Sequence, residues 1–269
     1  MKMSGPEYEE KKRRELAYAG PDAPEKATLV QRLVRNPLVY NRERISSGYT
    51  FPKERMGRLL EQRLHGRQVD RLLIAPCGNG GDYKHIRGSA KTAHGIDLNA
   101  EFVANCPSEM ETRVGDILKS GYDDGQFDVI VSPFFFHHLL EVGFDPFLAE
   151  FNRIMRDGGE LLVLEPSLFY PLNLFTRPVK RLFGNPAGQV EDEGPFNPRR
   201  MTAALERNGF GGVEWRGASF SHPRFFTPVA KAVNGITSPL LGNRIARWVA
   251  WAAVYAATKR GPTPMGKAR

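Results

Sequence analysis

The stretch "LLIAPCGNGGD" at residues 72–82 decides the fold, because an apolar run of strand length ends directly in a cluster of glycines. Glycine has no side chain, so a loop of this kind lets the backbone approach a polar ligand closely. The usual dinucleotide-binding pattern is G-x-G-x-x-G, and here Tyr83 stands at the position of its third glycine. The loop therefore predicts a binding site at the end of a strand without identifying the ligand.

Strand-sized and helix-sized patterns alternate along the rest of the chain. Apolar runs typical of strands buried on both faces of a parallel sheet recur at 69–75, 93–97, 127–132 and 160–165, and later strands are predicted at 212–220 and 252–260. Helical patterns lie near 27–35, 53–66, 80–88, 99–105, 144–156 and 197–210. This alternation predicts a doubly wound α/β sheet with right-handed crossovers.

The composition is that of a soluble globular protein, since 41% of the 269 residues are hydrophobic and 25% are charged. The opening stretch has no apolar core typical of a secretory signal. The longest apolar run, at 249–257, is shorter than the ~20 residues that span a bilayer. The two cysteines, Cys77 and Cys106, form no disulfide framework, which favours a reducing compartment. We expect a cytoplasmic protein.

The formal net charge is +8, and its excess lies near the amino terminus: 15 Lys and Arg face 9 Asp and Glu through residue 68, against 23 and 21 in the rest. A basic arm suggests RNA, an anionic lipid surface or a phosphorylated substrate, whereas the mixed charges of "EEKKRRE" are typical of a solvated helix face. Residues 1–27 are expected to be loosely ordered. We predict a basic helical extension and cap at 1–54 and a main domain at 55–269, with cover segments at 166–200 and 221–248.

Acidic and small residues directly follow successive strands. Asp97 comes after the second strand, "GDI" with Asp116 after the third, Ser132 after the fourth and Glu165 after the fifth. Ligands of open α/β sheets bind beyond the carboxyl ends of the strands, and an acid about 20 residues past the glycine loop can accept ribose hydroxyls. Asp97 alone could be a helix cap and Asp116 a turn residue. Their joint placement predicts a nucleoside-binding site.

Five stretches of the sequence resemble motifs of the class I S-adenosylmethionine (SAM)-dependent methyltransferases with a "CGxG" loop. They are "LLIAPCGNGGD", "HGIDLN", "GDI", "FDVIVSPFFFHHLLE" and "FNRIMRDGGELLVLEP". The resemblance covers roughly 55–260. It implies a Rossmann-like doubly wound sheet of seven strands, with the last strand antiparallel and inserted at the edge. It also implies SAM as the cofactor and S-adenosylhomocysteine (SAH) as its product.

By this resemblance the glycine loop passes the methionine part of SAM, Asp97 binds both ribose hydroxyls, and Asp116 binds the adenine amino group. Ile117 would flank the adenine ring, and Ser132 would lie beside the sulfonium. The residues it assigns to the cofactor are Ala75, Pro76, Cys77, Gly78, Gly80, Asp82, Asp97, Leu98, Asp116, Ile117, Ser132 and Pro133.

Two residues depart from the family pattern, which has an acid at the position of Ile74 and a glycine at that of Pro76. Because Ile74 cannot help to hold the methionine end, we expect Asp82 to do so from the start of a helix; the same placement also suits the helix dipole. NAD remains the alternative cofactor, since Asp97 would serve its ribose equally well, but the loop lacks the full dinucleotide pattern.

Candidate catalytic groups follow the fourth and fifth strands. His137 and His138 are the leading general bases, because an unperturbed histidine titrates near neutrality; Glu165 is a further candidate, and it could instead bind loop backbone. Tyr49, Tyr170 and Arg177 are candidates for the acceptor site. No metal site is predicted.

The sequence predicts methyl transfer to an oxygen or nitrogen atom of a small-molecule, sugar or lipid-like acceptor. The alternatives are an RNA methyltransferase, favoured only by the basic charge, and a non-catalytic SAM-binding subunit, suggested by Ile74 and Pro76. Weak contact with an anionic membrane surface through "SLFYPLNLFTRPVKRLFG" and "NRIARWVAW" is a further hypothesis. The sequence does not decide the oligomeric state.

Overall fold

The computed structural model describes residues 5–19, 42–173, 194–223, 225 and 227–261. Its strands are β1 (Arg71–Ile74), β2 (Thr92–Asp97), β3 (Met110–Val114), β4 (Phe127–Pro133), β5 (Met155–Pro166), β6 (Phe210–Ser219) and β7 (Ala252–Lys259). Its helices are α1 (Gly5–Ala19), α2 (Arg42–Leu64), α3 (Ala100–Ala104), α4 (Asp145–Ile154), α5 (Pro198–Arg207) and α6 (Thr227–Thr237). None of the described helices is both long and apolar enough to cross a lipid bilayer.

The strands form one seven-stranded sheet in the order β3-β2-β1-β4-β5-β7-β6. Strands β1 to β5 run parallel, and β7 pairs antiparallel with both β5 and β6. The predicted Rossmann-like fold with an antiparallel last strand is therefore confirmed. The expectation that β7 lies at the edge is wrong: β7 lies inside the sheet, where its first six residues are buried, and the partly exposed β6 forms the edge.

Helices cover both faces of the sheet. On one face α4 and α5 pack through large apolar side chains, including Phe147, Phe151 and Leu205. On the other face α2 contacts β5, β6 and β7, and its Met56 and Leu60 belong to a second apolar cluster. Ile74, which replaces the family's usual acid, is fully buried on this second face. Its apolar side chain thus contributes to the packing of α2 on the sheet.

Several predicted elements differ from the structure. The helix expected at 80–88 is only a three-residue 3-10 turn, Tyr83–His85. Gly78, Gly80 and Gly88 all have positive φ there, a conformation that an α-helix cannot contain. Residues 5–19, expected to be loosely ordered, form α1, and the helix expected at 144–156 ends at Ile154, where β5 begins.

Other organisational predictions stay untested. The helix expected near 27–35 lies outside the described residues. Helix α2 runs continuously across the proposed boundary at residue 54, and the division into domains stays a prediction.

Helix α2 approaches the loop after β1 very closely at Gly57. A Cβ atom at Gly57 would lie 2.1 Å from the backbone oxygen of His85. Gly57→Ala is therefore expected to lower the free energy of unfolding by roughly 1–3 kcal/mol, because the helix or the loop must move. Urea denaturation followed by circular dichroism measures this change.

Gly235 in α6 provides the matched control, because a Cβ atom there would meet no atom within 4 Å. Gly235→Ala is expected to raise stability by up to about 1 kcal/mol through helix propensity alone. Equal effects of the two substitutions would contradict the close contact at Gly57.

Candidate cofactor and acceptor site

The glycine loop brings β1 close to the end of β2. The Gly78 N–H donates a hydrogen bond of 2.8 Å to Asp97 Oδ2, and the Gly80 N–H donates to the Cys77 carbonyl at 2.9 Å. Both amides thus make hydrogen bonds within the fold, and the approach of the loop backbone to a ligand stays a prediction. A Cβ atom at Gly78, where φ is +51°, would meet no atom of the described residues within 4 Å. The loop therefore leaves open space beside Gly78.

Gly80 has a different role from Gly78. A Cβ atom at Gly80 would lie 2.3 Å from Cδ of Pro107, so the glycine permits close packing against the segment before β3. Cys77 is also a packing residue: it is buried, and its side chain lies against Gly95 of β2. Burial raises the pKa of the Cys77 thiol, which keeps it protonated.

Asp97 lies at the carboxyl end of β2, at the centre of the predicted site. Its Oδ1 accepts a hydrogen bond of 2.9 Å from the Asn99 N–H, while Oδ2 accepts from Gly78. Burial raises the pKa of this carboxyl group, opposed by these backbone donors. A carboxylate has about four acceptor positions, and Asp97 also interacts with the backbone of Leu98, so it retains some capacity for a further donor.

Asp116 is held by the amino-terminal helix α1. Tyr8 Oη donates a hydrogen bond of 2.7 Å to Asp116 Oδ1, and Lys12 Nζ lies 3.0 Å from Oδ2. The Leu118 N–H donates to the same Oδ1 at 2.9 Å, so Asp116 also caps a short 3-10 turn. Burial and the hydrogen bond from Tyr8 to Asp116 raise the pKa of Tyr8 far above its ordinary value. The Asp116 side chain is only 9% exposed.

Asp82 forms an ion pair with Lys53 of α2, with Nζ 2.8 Å from Oδ1. The Lys53 ammonium also lies 5.9 Å from the centroid of the Phe134 ring. Asp82 thus stands close to the loop, as predicted, but its carboxylate is already paired with a cation. Its role at the methionine end stays a prediction.

Ser132 supplies an unusual polar atom at the end of β4. It is fully buried, and among the described residues its Oγ has no hydrogen-bond partner. A buried hydroxyl without a partner is costly, and such groups are found where a ligand or water completes the bonding. Pro133 ends the same strand, and Ile117 lies buried next to Asp116.

Glu165 organises the loop that follows β4. It is fully buried, and its carboxylate accepts from the N–H groups of Phe135, Phe136 and His137 at 2.7, 2.6 and 3.2 Å. Its Oε2 also lies 2.8 Å from His137 Nδ1. Glu165 therefore acts as a positioning residue. The structure shows it bound to the loop backbone, which was the alternative that the sequence left open.

The bond to Glu165 fixes the His137 ring. When Nδ1–H donates to the Glu165 carboxylate, Nε2 is the ring nitrogen that can accept a proton. The His138 ring lies beside it, with ring centroids 4.1 Å apart. The structure thus distinguishes two adjacent histidines that the sequence could not.

A cluster of aromatic rings lies past the ends of β4 and β5. Phe134 has a φ of +53°, a strained conformation for a residue with a side chain. Its ring lies edge-to-face with that of Tyr49 at 5.2 Å, and Tyr49 also meets Trp251 at 5.4 Å. Tyr49 therefore reaches this end of the sheet.

Tyr170 lies nearby, stacked on His222 with centroids 5.9 Å apart, and burial raises its pKa to about 12. Arg177 lies outside the described residues. The described part of the chain contains no group of three or more His, Cys, Asp or Glu side chains that could hold a metal ion.

Sequence reasoning missed three site residues: Tyr8, Lys12 and Lys53. Tyr8 and Lys12 are spaced i and i+4, which places them on one face of a helix. That spacing was the available signal, because it pairs Lys12 with Tyr8 and distinguishes it from the other charges of "EEKKRRE". No comparable signal marks Lys53.

Comparisons with known proteins agree with this geometry. Residues 73–163 match the family model Methyltransferase domain. The chain is 24% identical over 168 residues to an uncharacterized methyltransferase of Geobacillus kaustophilus, with 60% of this chain and 75% of the relative covered.

Two solved structures share the fold. A SAM-dependent methyltransferase of Thermotoga maritima superposes with a TM-score of 0.56 at 13% identity, covering 86% of this chain and 100% of that one. Phospholethanolamine N-methyltransferase 2 of Haemonchus contortus, in complex with phosphomonomethylethanolamine and SAH, gives 0.51 at 16% identity. This chain, of which 76% is covered, spans about half (52%) of the length of the Haemonchus chain.

The strand order, with the antiparallel β7 between β5 and β6, is that of a doubly wound Rossmann-like sheet. Over residues 73–163 the chain is similar to the methyltransferase domain family, which supports the predicted resemblance to class I SAM-dependent methyltransferases. The cofactor of this family is SAM, as the sequence predicted in preference to NAD.

Proposed function

We propose that the chain binds SAM at the carboxyl ends of β1, β2 and β4 and catalyses transfer of its methyl group to an oxygen or nitrogen atom of a small, amphiphilic acceptor. The observation that carries the proposal is the meeting of Gly78, Asp97 and Ser132 at this edge. Space beside Gly78, remaining acceptor capacity on Asp97 and an unpaired buried hydroxyl on Ser132 together fit a ligand with polar groups.

When bound, SAM supplies a methyl group made electrophilic by its sulfonium. The protein would hold SAM and orient its methyl group toward the acceptor. Asp97 would accept the two ribose hydroxyls, Asp116 the adenine amino group, and Ile117 would pack on the adenine ring. Helix α1 closes the adenine end through Tyr8 and Lys12.

His137 would remove a proton from an acceptor hydroxyl or ammonium group through Nε2. Glu165 holds Nδ1 and so selects the tautomer that leaves Nε2 free to accept the proton. The rings of Phe134, Tyr49 and Trp251 would shield the reacting groups from water on one side. Orientation of two reactants in such a site can lower the activation free energy by roughly 7–11 kcal/mol.

The direct test is an untargeted transfer assay. The full chain is incubated with SAM labelled in the methyl group and with fractionated host extract, and the labelled product is isolated. Label in a small or amphiphilic product supports the proposal, whereas label in RNA supports the alternative suggested by the basic charge. Binding of SAH without transfer to any fraction would support a non-catalytic subunit.

The contact between α1 and Asp116 makes a separate prediction. The double variant Tyr8→Phe/Lys12→Met is expected to bind SAH about tenfold more weakly, or about 1.4 kcal/mol, because the carboxylate of Asp116 loses the two donors that orient it. Isothermal titration calorimetry measures the affinity.

Arg13→Met is the control for this prediction, because Arg13 lies on the exposed face of the same helix. Tighter binding by the double variant would show that α1 competes with the cofactor and does not help to hold it.

A further inference from the structure

Helix α6 and the turns after it expose several apolar side chains. The inner face of α6 buries a polar residue, Asn234, whose side chain bonds with Ser219 and Ser221. The outer face carries Val229 and Ile236, which are both exposed, and Ile236 is 79% exposed. A helix in water normally turns its polar residues outward, so this face is suited to an apolar partner.

The apolar exposure continues past the end of α6. Leu240, Ile245 and Val249 are exposed in the turns that follow, and Ile245 is 83% exposed. Phe169, also exposed, lies against Trp248 with ring centroids 5.7 Å apart. We call the residues Val229, Ile236, Leu240, Ile245 and Val249 the outer apolar surface.

The charges within the segment that carries the outer apolar surface have one sign. From Trp215 to the end of the chain the sequence contains no Asp or Glu. Lys231 and Arg244 are exposed within the same stretch, between and beside the apolar residues. Apolar side chains that penetrate a headgroup layer, together with cations that attract anionic lipids, are the two components of interfacial membrane binding.

We propose that the outer apolar surface docks on an anionic lipid bilayer, with Ile236 and Ile245 inserting at the headgroup level and Lys231 and Arg244 meeting lipid phosphates. The charge decides for a lipid surface, since a second copy of the chain would bring the same unbalanced cations against it. Phe169 links the surface to Tyr170 at the end of β5, so docking would bring the acceptor edge near the lipid. Only this last consequence rests on the proposed function.

The experiment is vesicle co-sedimentation of the full chain. Vesicles of phosphatidylcholine alone are compared with vesicles that also contain phosphatidylglycerol, at low and high NaCl. We expect binding to the anionic vesicles, weakened by salt, and about a tenfold loss of partitioning for Ile236→Ser/Ile245→Ser. Both side chains are exposed, so the substitutions leave the packed core intact.

Val114→Ser is the matched control, because Val114 is 52% exposed and lies on β3, at the opposite edge of the sheet from β6. It should bind vesicles like the unchanged chain. Equal sedimentation of the double variant, or no binding of the unchanged chain, overturns the proposal. A dimer in light scattering that the double variant abolishes, without vesicle binding, assigns the surface to a second copy instead.

The SAH-induced shift in melting temperature is measured on the same samples. Since vesicle binding is read without cofactor or turnover, loss of SAH binding with vesicle binding intact would refute only the proposed function.

Discussion

Asp97→Ala is expected to lower SAH affinity by roughly 10²–10⁴-fold. Asp97 is the one acid at the end of β2, and its carboxylate already joins β2 to the glycine loop through Gly78. Its replacement removes two charge-assisted hydrogen bonds to the ribose at about 1.5–3 kcal/mol each. It also releases the Gly78 N–H, which shapes the open space beside the loop. Calorimetric titration with SAH measures the loss.

Asp123→Ala is the control for this substitution, because Asp123 is an exposed aspartate in the turn before β4. It should bind SAH like the unchanged chain. The melting temperature of each variant without ligand separates loss of binding from loss of folding. Affinity within a factor of a few of the original in a folded Asp97→Ala chain would contradict the assignment of the ribose site.

His137→Gln is expected to lower the rate of methyl transfer by roughly 10²–10⁴-fold while SAH affinity stays unchanged. The imidazole Nε2 is the acceptor atom that the Glu165 contact leaves available, and glutamine cannot take up a proton there. The rate is measured as initial incorporation of labelled methyl into the acceptor found in the transfer assay.

His138→Gln is the comparison that makes this prediction specific, since the two rings are adjacent, with centroids 4.1 Å apart. We expect His138→Gln to retain most of the transfer rate. If His138→Gln lost the activity and His137→Gln kept it, the base would be misassigned. Equal small losses would show that the acceptor needs no general base.

Local sequence patterns predicted most elements of the fold. The apolar runs at β1, β2 and β4 and the helical face of α4 are visible in the sequence, since each follows from the periodicity of a buried element. The prediction of a helix at 80–88 was wrong because the helical pattern of the sequence does not reveal the positive φ of Gly78, Gly80 and Gly88. At Gly80 this conformation accompanies close packing against Pro107, which is distant in the sequence.

The site was predictable where one residue marks a strand end, as Asp97 does. It was not predictable where two distant residues meet. Tyr8 and Lys12 are separated from Asp116 by 108 and 104 positions, and the choice between His137 and His138 depends on Glu165, 28 positions away from His137. Contacts of this range are set by the tertiary fold, and no local spacing reveals them.

We infer that "LLIAPCGNGGD" and Asp97 form a SAM site. The most direct measurement is calorimetric titration of the unchanged full chain with SAM, SAH and NAD. The structure predicts saturable binding of SAM and SAH at about one ligand per chain and no binding of NAD. Absence of binding by both SAM and SAH, or binding of NAD in their place, would contradict it.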